Sequence, residues 1–168
     1  GLYRYNMNDL VEVTDFYGTI PTIQFVQKIN GIISLTGEKL HEKQFITAVQ
    51  QVEKETGNRL KFFVAFANIQ DSNYSFHYEF ADKNTTQETA EKFSELVDKY
   101  LKEVNCEYEA KRNSLRLKDP VTFRLQVNSF ERFKSRCIDE GARDGQFKLN
   151  LLMQDEVRHE KFKNLILE

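Results

Sequence analysis

The stretch LKFFVAFANIQDSNYSFHYEFA, residues 60–81, constrains the fold more than any other part of the chain. Its first run, LKFFVAFANI, is apolar on both faces, as a central strand should be. Its second, YSFHYEFA, puts Tyr74, Phe76, Tyr78 and Phe80 on one side, and Asp71, Ser72 and Asn73 supply the turn between the two. A central strand needs neighbours in the sheet and helices packed on it, which the flanking segments must provide.

They carry the right periodicities. Leu10 to Val13 and Ile23 to Lys28 alternate, and the loop between them holds Gly18 and Pro21, which predicts an antiparallel hairpin; Ile32 to Leu35 reads as a further strand. From Glu42 the period becomes helical, with Phe45, Ala48, Val49 and Val52 on one face and Gly57 as a stop. Thr85 with Glu88 predicts a capping box for a long helix that turns Ala90, Phe93, Val97, Tyr100 and Leu101 inward. VTFRLQV (121–127) predicts a strand, and Asn128 or Ser129 the cap of a helix burying Phe130, Phe133, Cys137 and Ile138 and ending at Gly141. A last strand at Phe147 to Leu152 and a charged tail helix from about Asp155 follow. The expected class is α+β: an N-terminal β-hairpin followed by a ferredoxin-like split βαβ sheet with helices packed on it.

The 168 residues suit one core rather than two. With 24 Lys and Arg against 26 Asp and Glu, the net charge of −2 argues against a nucleic-acid partner held by counterion release. KFFVAF (61–66) lacks the glycines and flanking basic charge of an RNA-stacking strand, so its aromatics read as core. Cys106 and Cys137 have no CxxC or metal-ligand spacing, which predicts reduced thiols and a cytoplasmic setting. No run reaches the roughly 18 apolar residues of a membrane span, and no signal peptide opens the chain, which is expected to extend upstream of Gly1. RHEKF (158–162) starts like a zinc helix, but no second histidine follows at the required spacing, and His41 and His77 are isolated; no metal site is expected. TGEKL (36–40) fails the spacing of a phosphate loop because Glu38 interrupts the Gly-Lys pair.

A resemblance adds what spacing cannot. The opening, GLYRYNMNDLVEVTDFYGTIPTIQFVQKINGIISLTGEKLHEKQFITAV, resembles the C-terminal domain of the auxin-responsive acyl acid-amido synthetases, a branch of the adenylate-forming enzymes. That family reads approximately Y-R-Y-R-L-G-D-V-V-x-V-x-G-F, then a Pro, a Phe, an Arg-containing hinge, L-S-I and an acidic-Lys pair before a helix. Tyr3, Arg4, Tyr5, Asp9, Val11, Val13, Phe16, Pro21, Phe25, Asn30, Ser34, Lys39, Glu42, Ala48 and Val49 match it without a gap. A second block, NSFERFKSRCIDEGARDGQFKL (128–149), is similar to the family's late helix, Gly-rich turn and Q-[FY]-K.

The resemblance implies a function and a set of residues. Family members activate a carboxylic acid with ATP as an acyl-adenylate and pass the acyl group to an amine, commonly an amino acid; Mg2+ accompanies the ATP. Asp9 matches the aspartate that accepts the two ribose hydroxyls of ATP, a task suited to a carboxylate with no donors of its own. Lys28 stands where the family has the hinge arginine, keeping its charge without its bidentate geometry. Lys148 matches the lysine of Q-[FY]-K, which serves the adenylation step. Asn6 and Asn8 replace an arginine and a glycine of the first motif, and Leu149, Asn150 and Leu151 replace V-P-R after the lysine, leaving Asp9 and Lys148 as the transferable contacts. On this reading residues 1–168 form the C-terminal lid domain of a larger ligase, 1–30 being hairpin and hinge and 31–168 the α+β body. It is expected to be inactive without the N-terminal adenylation domain of the same chain. The alternative is a stand-alone ferredoxin-like binding or regulatory module without catalysis.

Overall fold

Thirteen regular elements are built on the residues that the computed structural model describes, which are 9–28, 31–141, 144–147 and 149–167. β1 (Asp9–Tyr17) and β2 (Ile20–Lys28) form an antiparallel hairpin that turns at Gly18, whose φ of 64° suits a residue without a Cβ. β3 (Ile32–Ile33) pairs with β4 (Leu40–His41), which leads into α1 (Glu42–Thr56). β5 (Leu60–Asn68) and β6 (Asn73–Phe80) follow, then α2 (Gln87–Val104), α3 (Cys106–Asn113), β7 (Val121–Arg124), α4 (Ser129–Asp139), β8 (Leu152–Met153) and α5 (Glu156–Lys163).

The main sheet has the order β7-β6-β5-β8, so the doubly apolar strand is interior as expected. β5 and β6 are antiparallel, while β7 runs parallel to β6 and β8 parallel to β5. On one face Tyr74, Phe76, Tyr78 and Phe80 meet Phe45, Val49 and Val52 of α1 and Ala90, Phe93, Val97 and Leu101 of α2. On the other, Phe62, Val64 and Phe66 meet Phe133 of α4, Phe162 of α5, Leu125, Met153 and Leu165. Each fully buried Phe or Leu contributes about 1.5–3 kcal/mol by leaving water. The α+β class is therefore the observed one, with helices on both faces of the sheet.

Several elements are shorter than their apolar patterns, because their backbone donors are engaged elsewhere. The Ile32–Leu35 run gives only two paired residues: the Leu35 and Thr36 amides donate to the Glu38 carboxylate instead of to a sheet neighbour. The final strand shrinks to Leu152–Met153, since Phe147 donates to Asp144 across a 3-10 turn and Leu151 donates to Glu42. β7 stops at Arg124, after which Gln126 donates to Leu165 of the tail.

Caps move as well. Thr86, one residue past the expected Thr85, accepts the Thr89 amide at 3.2 Å to start α2. Asn105 both closes α2 and opens α3, its side chain accepting the Tyr108 amide at 2.9 Å. Neither Asn128 nor Ser129 caps α4 through its side chain; the buried Glu79 carboxylate of β6 takes the Asn128 and Ser129 amides at 2.8 and 2.9 Å.

The hairpin stands apart from both cores. Val11, Val13, Phe16, Tyr17, Ile20, Ile23 and Phe25 are all exposed, Tyr17 to 85%.

If α5 is a structural wall of the second core, Phe162→Ala should remove about 3–5 kcal/mol of stability. Its ring lies 4.3 Å from Phe133 and 5.4 Å from Phe66. Equilibrium urea unfolding checks this, and a loss below about 1 kcal/mol would mean that α5 is only loosely attached.

Candidate functional site

Two of the three residues singled out by the resemblance are brought together by the hairpin. Asp9 is the first residue of β1 and Lys28 the last of β2, and they are direct cross-strand partners at the open end. Two register irregularities, at Leu10/Val11 and Val13/Asp15, offset one another, so the pair meets as in a regular hairpin closing at Gly18. Asp9 is half-buried. The side chain of Lys28 is not among those described, and Lys148 itself lies outside the described residues.

The residues flanking Lys148 are placed by β5 and α1. Phe147, Leu149 and Leu151 pack against the second core, and Asn150 is exposed. The Leu151 carbonyl accepts the Ala65 amide at 2.8 Å, which registers Leu152 and Met153 on β5. A groove of about 390 Å³ opens there, lined by Phe62, Phe130, Phe147, Leu149 and Leu151 together with Lys61. Nothing local in the sequence announces this groove, because its walls come from segments more than sixty residues apart.

The turn at Ser34–Lys39 is organised by a carboxylate that the sequence reading treated only as an interruption. Glu38 is fully buried and accepts the Leu35 and Thr36 amides, each at 2.8 Å, the Thr36 hydroxyl at 3.1 Å and the Tyr74 hydroxyl. Burial alone would raise its pKa, but the bonds from Leu35, Tyr74 and Thr36 outweigh that and hold the carboxyl below its ordinary value. Asn105 binds the turn from outside, donating to the Glu38 carbonyl at 3.1 Å. Gly37 has φ 107° and Lys39 φ 45°, so the turn holds a side chain in left-handed backbone and leaves the Lys39 ammonium largely exposed. It is a closed polar turn and not a phosphate loop. Its distant partners, Tyr74 and Asn105, had no sequence signal as such, Tyr74 being marked only by its place on the aromatic face.

Among the described residues no group of three or more His, Cys, Asp or Glu side chains could hold a metal ion, and no helix is long and apolar enough to cross a membrane. His77 is wholly buried, its Nδ1 3.2 Å from the Ser75 carbonyl, stacked on Phe123 and edge-on to Phe66 and to His159.

Comparison with known proteins gives these features a family. The sequence profile of the GH3 family C-terminal domain matches residues 43–157, and that of the GH3 family central domain matches residues 1–28. The chain belongs to the GH3 family. It is 29% identical over 163 residues to the Arabidopsis thaliana 4-substituted benzoates-glutamate ligase GH3.12, covering 88% of this chain and 28% of that protein. It is 26% identical over 156 residues to the indole-3-acetic acid-amido synthetase GH3.3 of the same plant, covering 89% and 26%. The fold matches that of the GH3.15 acyl acid amido synthetase with a TM-score of 0.74 at 19% identity, over 100% of this chain and 31% of the other. The chain thus spans under a third of the length of these relatives.

Burial, with the nearby His159, pushes the His77 pKa down to about 3 from an ordinary 6.5. The unfolded chain takes up this proton as pH falls below 6.5 and the folded chain does not until about pH 3. Stability supplied by neutral His77 is therefore complete above pH 6.5 and declines below it, by at most about 1.4 kcal/mol per pH unit. His159, also held low by burial, adds a slope of the same sign. Urea unfolding between pH 7 and 5 should show this decline, and His77→Phe should flatten it; an equal slope in the variant would contradict the assignment.

Proposed function

We propose that this chain is the hinge and C-terminal lid of an ATP-dependent acyl acid-amido synthetase, an enzyme that activates a carboxylic acid as its adenylate and transfers the acyl group to an amine or amino acid. One observation carries the reading: a single chain matches two consecutive family profiles, the central domain up to residue 28 and the C-terminal domain from residue 43. The names of the relatives, an acyl-glutamate ligase and indole-3-acetic acid-amido synthetases, support the reaction class. The exposed apolar strands of the hairpin fit a segment that packs against further chain of the adenylation domain, since an isolated two-stranded hairpin is marginal in water.

The proposed division of labour follows from the two sides of the hinge. Asp9, an acceptor-only carboxylate on the hairpin, binds the ribose diol of ATP, and Lys28 across the ladder adds a cation near the phosphates. Lys148, on the body, reaches the acyl carboxylate and α-phosphate when the lid is in its adenylation pose and offsets the charge of the in-line transition state. Rotation of the body about the segment near residue 30 then carries Lys148 away and exposes the acyl-adenylate to the amine. The fragment alone, without the acyl pocket and most of the ATP site, is inactive on this account.

In the full-length protein, Asp9→Ala should weaken ATP binding by about 1.5–3 kcal/mol, read as a raised Michaelis constant for ATP. Lys148→Ala should slow acyl-adenylate formation by roughly 10²–10³ and spare transfer from supplied acyl-adenylate. Single-turnover measurement of the two half-reactions tests the reading. Equal losses in both would assign Lys148 to folding or docking, and an unchanged ATP response in Asp9→Ala would remove it from the nucleotide site.

A further inference from the structure

α5 brings little apolar surface of its own to the sheet. It has eight residues, fewer than the roughly 12–15 that an isolated helix needs to be marginally stable in water, and it buries one of them, Phe162. Its cap is local: the Asp155 carboxylate accepts the Arg158 amide at 3.0 Å, and the pairs Arg158–Asp155 and Lys163–Glu160 stay within the helix and its cap. Lys161 reaches Glu140 after α4, but both side chains are partly exposed, and such a pair contributes little.

The helix is joined to the sheet by rings, two of which titrate. His159, three residues before Phe162, lies flat on Phe66 of β5 at 4.6 Å and edge-on to His77 of β6 at 5.4 Å. Phe123 of β7 stacks on the buried His77 at 4.9 Å, and Phe162 lies 6.4 Å away. The His77 Nδ1 faces the Ser75 carbonyl, which can only accept, and this places the proton of the neutral ring there. Nε2 is buried too, and among the described residues it has no hydrogen-bond partner. A proton on Nε2 would put a full charge against phenyl rings and a second imidazole.

The neighbouring elements do little to offset that charge. β5 sets Val64 and Phe66 beside His77, β7 sets Phe123, and α5 sets His159 and Phe162. On β6 itself, Glu79 shares the face of His77, but its carboxylate accepts the Asn128 and Ser129 amides. His159 lines a cleft where β5 and its turn contribute the uncharged Asn68, Ile69 and Gln70, and α5 contributes Asp155, Glu156, Glu160 and Lys163.

We propose that α5 is an acid-released latch: protonation of His77 and His159 detaches the helix from the sheet and uncovers Phe66 and Phe133, while β5 and β6 stay paired. The first core, on the opposite face, keeps those two strands together. Detachment gives both imidazoles to water, where they take up protons near about pH 6.5. In the closed state burial, with the nearby His159, holds His77 at about 3, and burial with Lys163 holds His159 below its ordinary value. Both rings bind protons more readily in the detached state, so detachment is suppressed above pH 6.5 and favoured progressively below it.

Hydrogen exchange in the full-length protein between pH 7 and pH 5, resolved to α5 and β6 and corrected for the pH dependence of exchange chemistry, tests the latch. At pH 7 the amides of His159–Lys163 should be less protected than those of Tyr74–Phe80. Their protection should fall roughly 20-fold or more by pH 5, the change set by releasing a single buried histidine. His159→Phe, a change at a half-buried position that keeps a ring on Phe66, should lose part of this fall. The double variant His77→Phe/His159→Phe leaves Asp155, Glu156 and Glu160 in place, and its α5 protection should not respond to pH. Equal protection of α5 and β6 at both pH values would mean that α5 leaves only with the whole fold and would overturn the proposal. So would α5 protection that is unchanged from pH 7 to pH 5, or a fall of the full size in both variants.

Discussion

β5 is the constraint on which the rest of the molecule depends. Its side chains are apolar on both faces, so it is stable only as an interior strand with a layer on each side. The first layer is supplied by the sequence-adjacent helices α1 and α2. The second must come from the C-terminal third, which brings α4, α5 and β8 onto Phe62, Val64 and Phe66. The same requirement sets the segment around Lys148 against β5, because Phe147, Leu149 and Leu151 are part of that layer. The residues that stand where the resemblance has V-P-R fit these terms: Leu149 and Leu151 pack against this layer, and Leu151 does so in place of an arginine.

Buried carboxylates supply the second organising principle. Glu38 closes a turn, Glu79 caps α4, and Asp98 holds Arg112 through Nε at 3.0 Å while also accepting from the Tyr108 hydroxyl at 2.7 Å. Burial raises the Asp98 pKa, but Arg112, Lys102 and Tyr108 together bring it below the ordinary range. Each acid also takes at least one partner from another element, Tyr74 for Glu38, the Asn128 and Ser129 amides for Glu79, and Arg112 for Asp98, and so ties together elements that apolar packing alone would leave free to slide.

Much of this was legible in the sequence and some was not, for physical reasons. The aromatic face of β6, the doubly apolar β5 and α1 with its Gly57 stop follow from local periodicity, and local periodicity is what decided them. The ends of β3, β7 and β8 were not legible, since each is cut short by a donor committed to Glu38, the C-terminal tail or Glu42. The capping of α4 by Glu79, and the meeting of Asp9 with Lys28 through two offsetting bulges, depend on tertiary register that no window of sequence contains. Asp9 and Lys148 were found only through resemblance, because a single aspartate and a single lysine carry no chemical signature by themselves. The family profiles also divide the chain more finely than the sequence reading did, assigning the hairpin to the central domain and the body to the C-terminal one.

The central claim is that a rotating body is joined to the hairpin near residue 30. In the full-length protein with Cys106 and Cys137 replaced, spin labels at Glu12 on the exposed hairpin and Lys92 on the exposed face of α2 report the separation of the two parts by pulsed electron resonance. The account predicts one distance population with ATP and a carboxylic acid bound and a distinct one after the adenylate has formed and the amine is added. A single distribution, unchanged by either set of ligands, would contradict it.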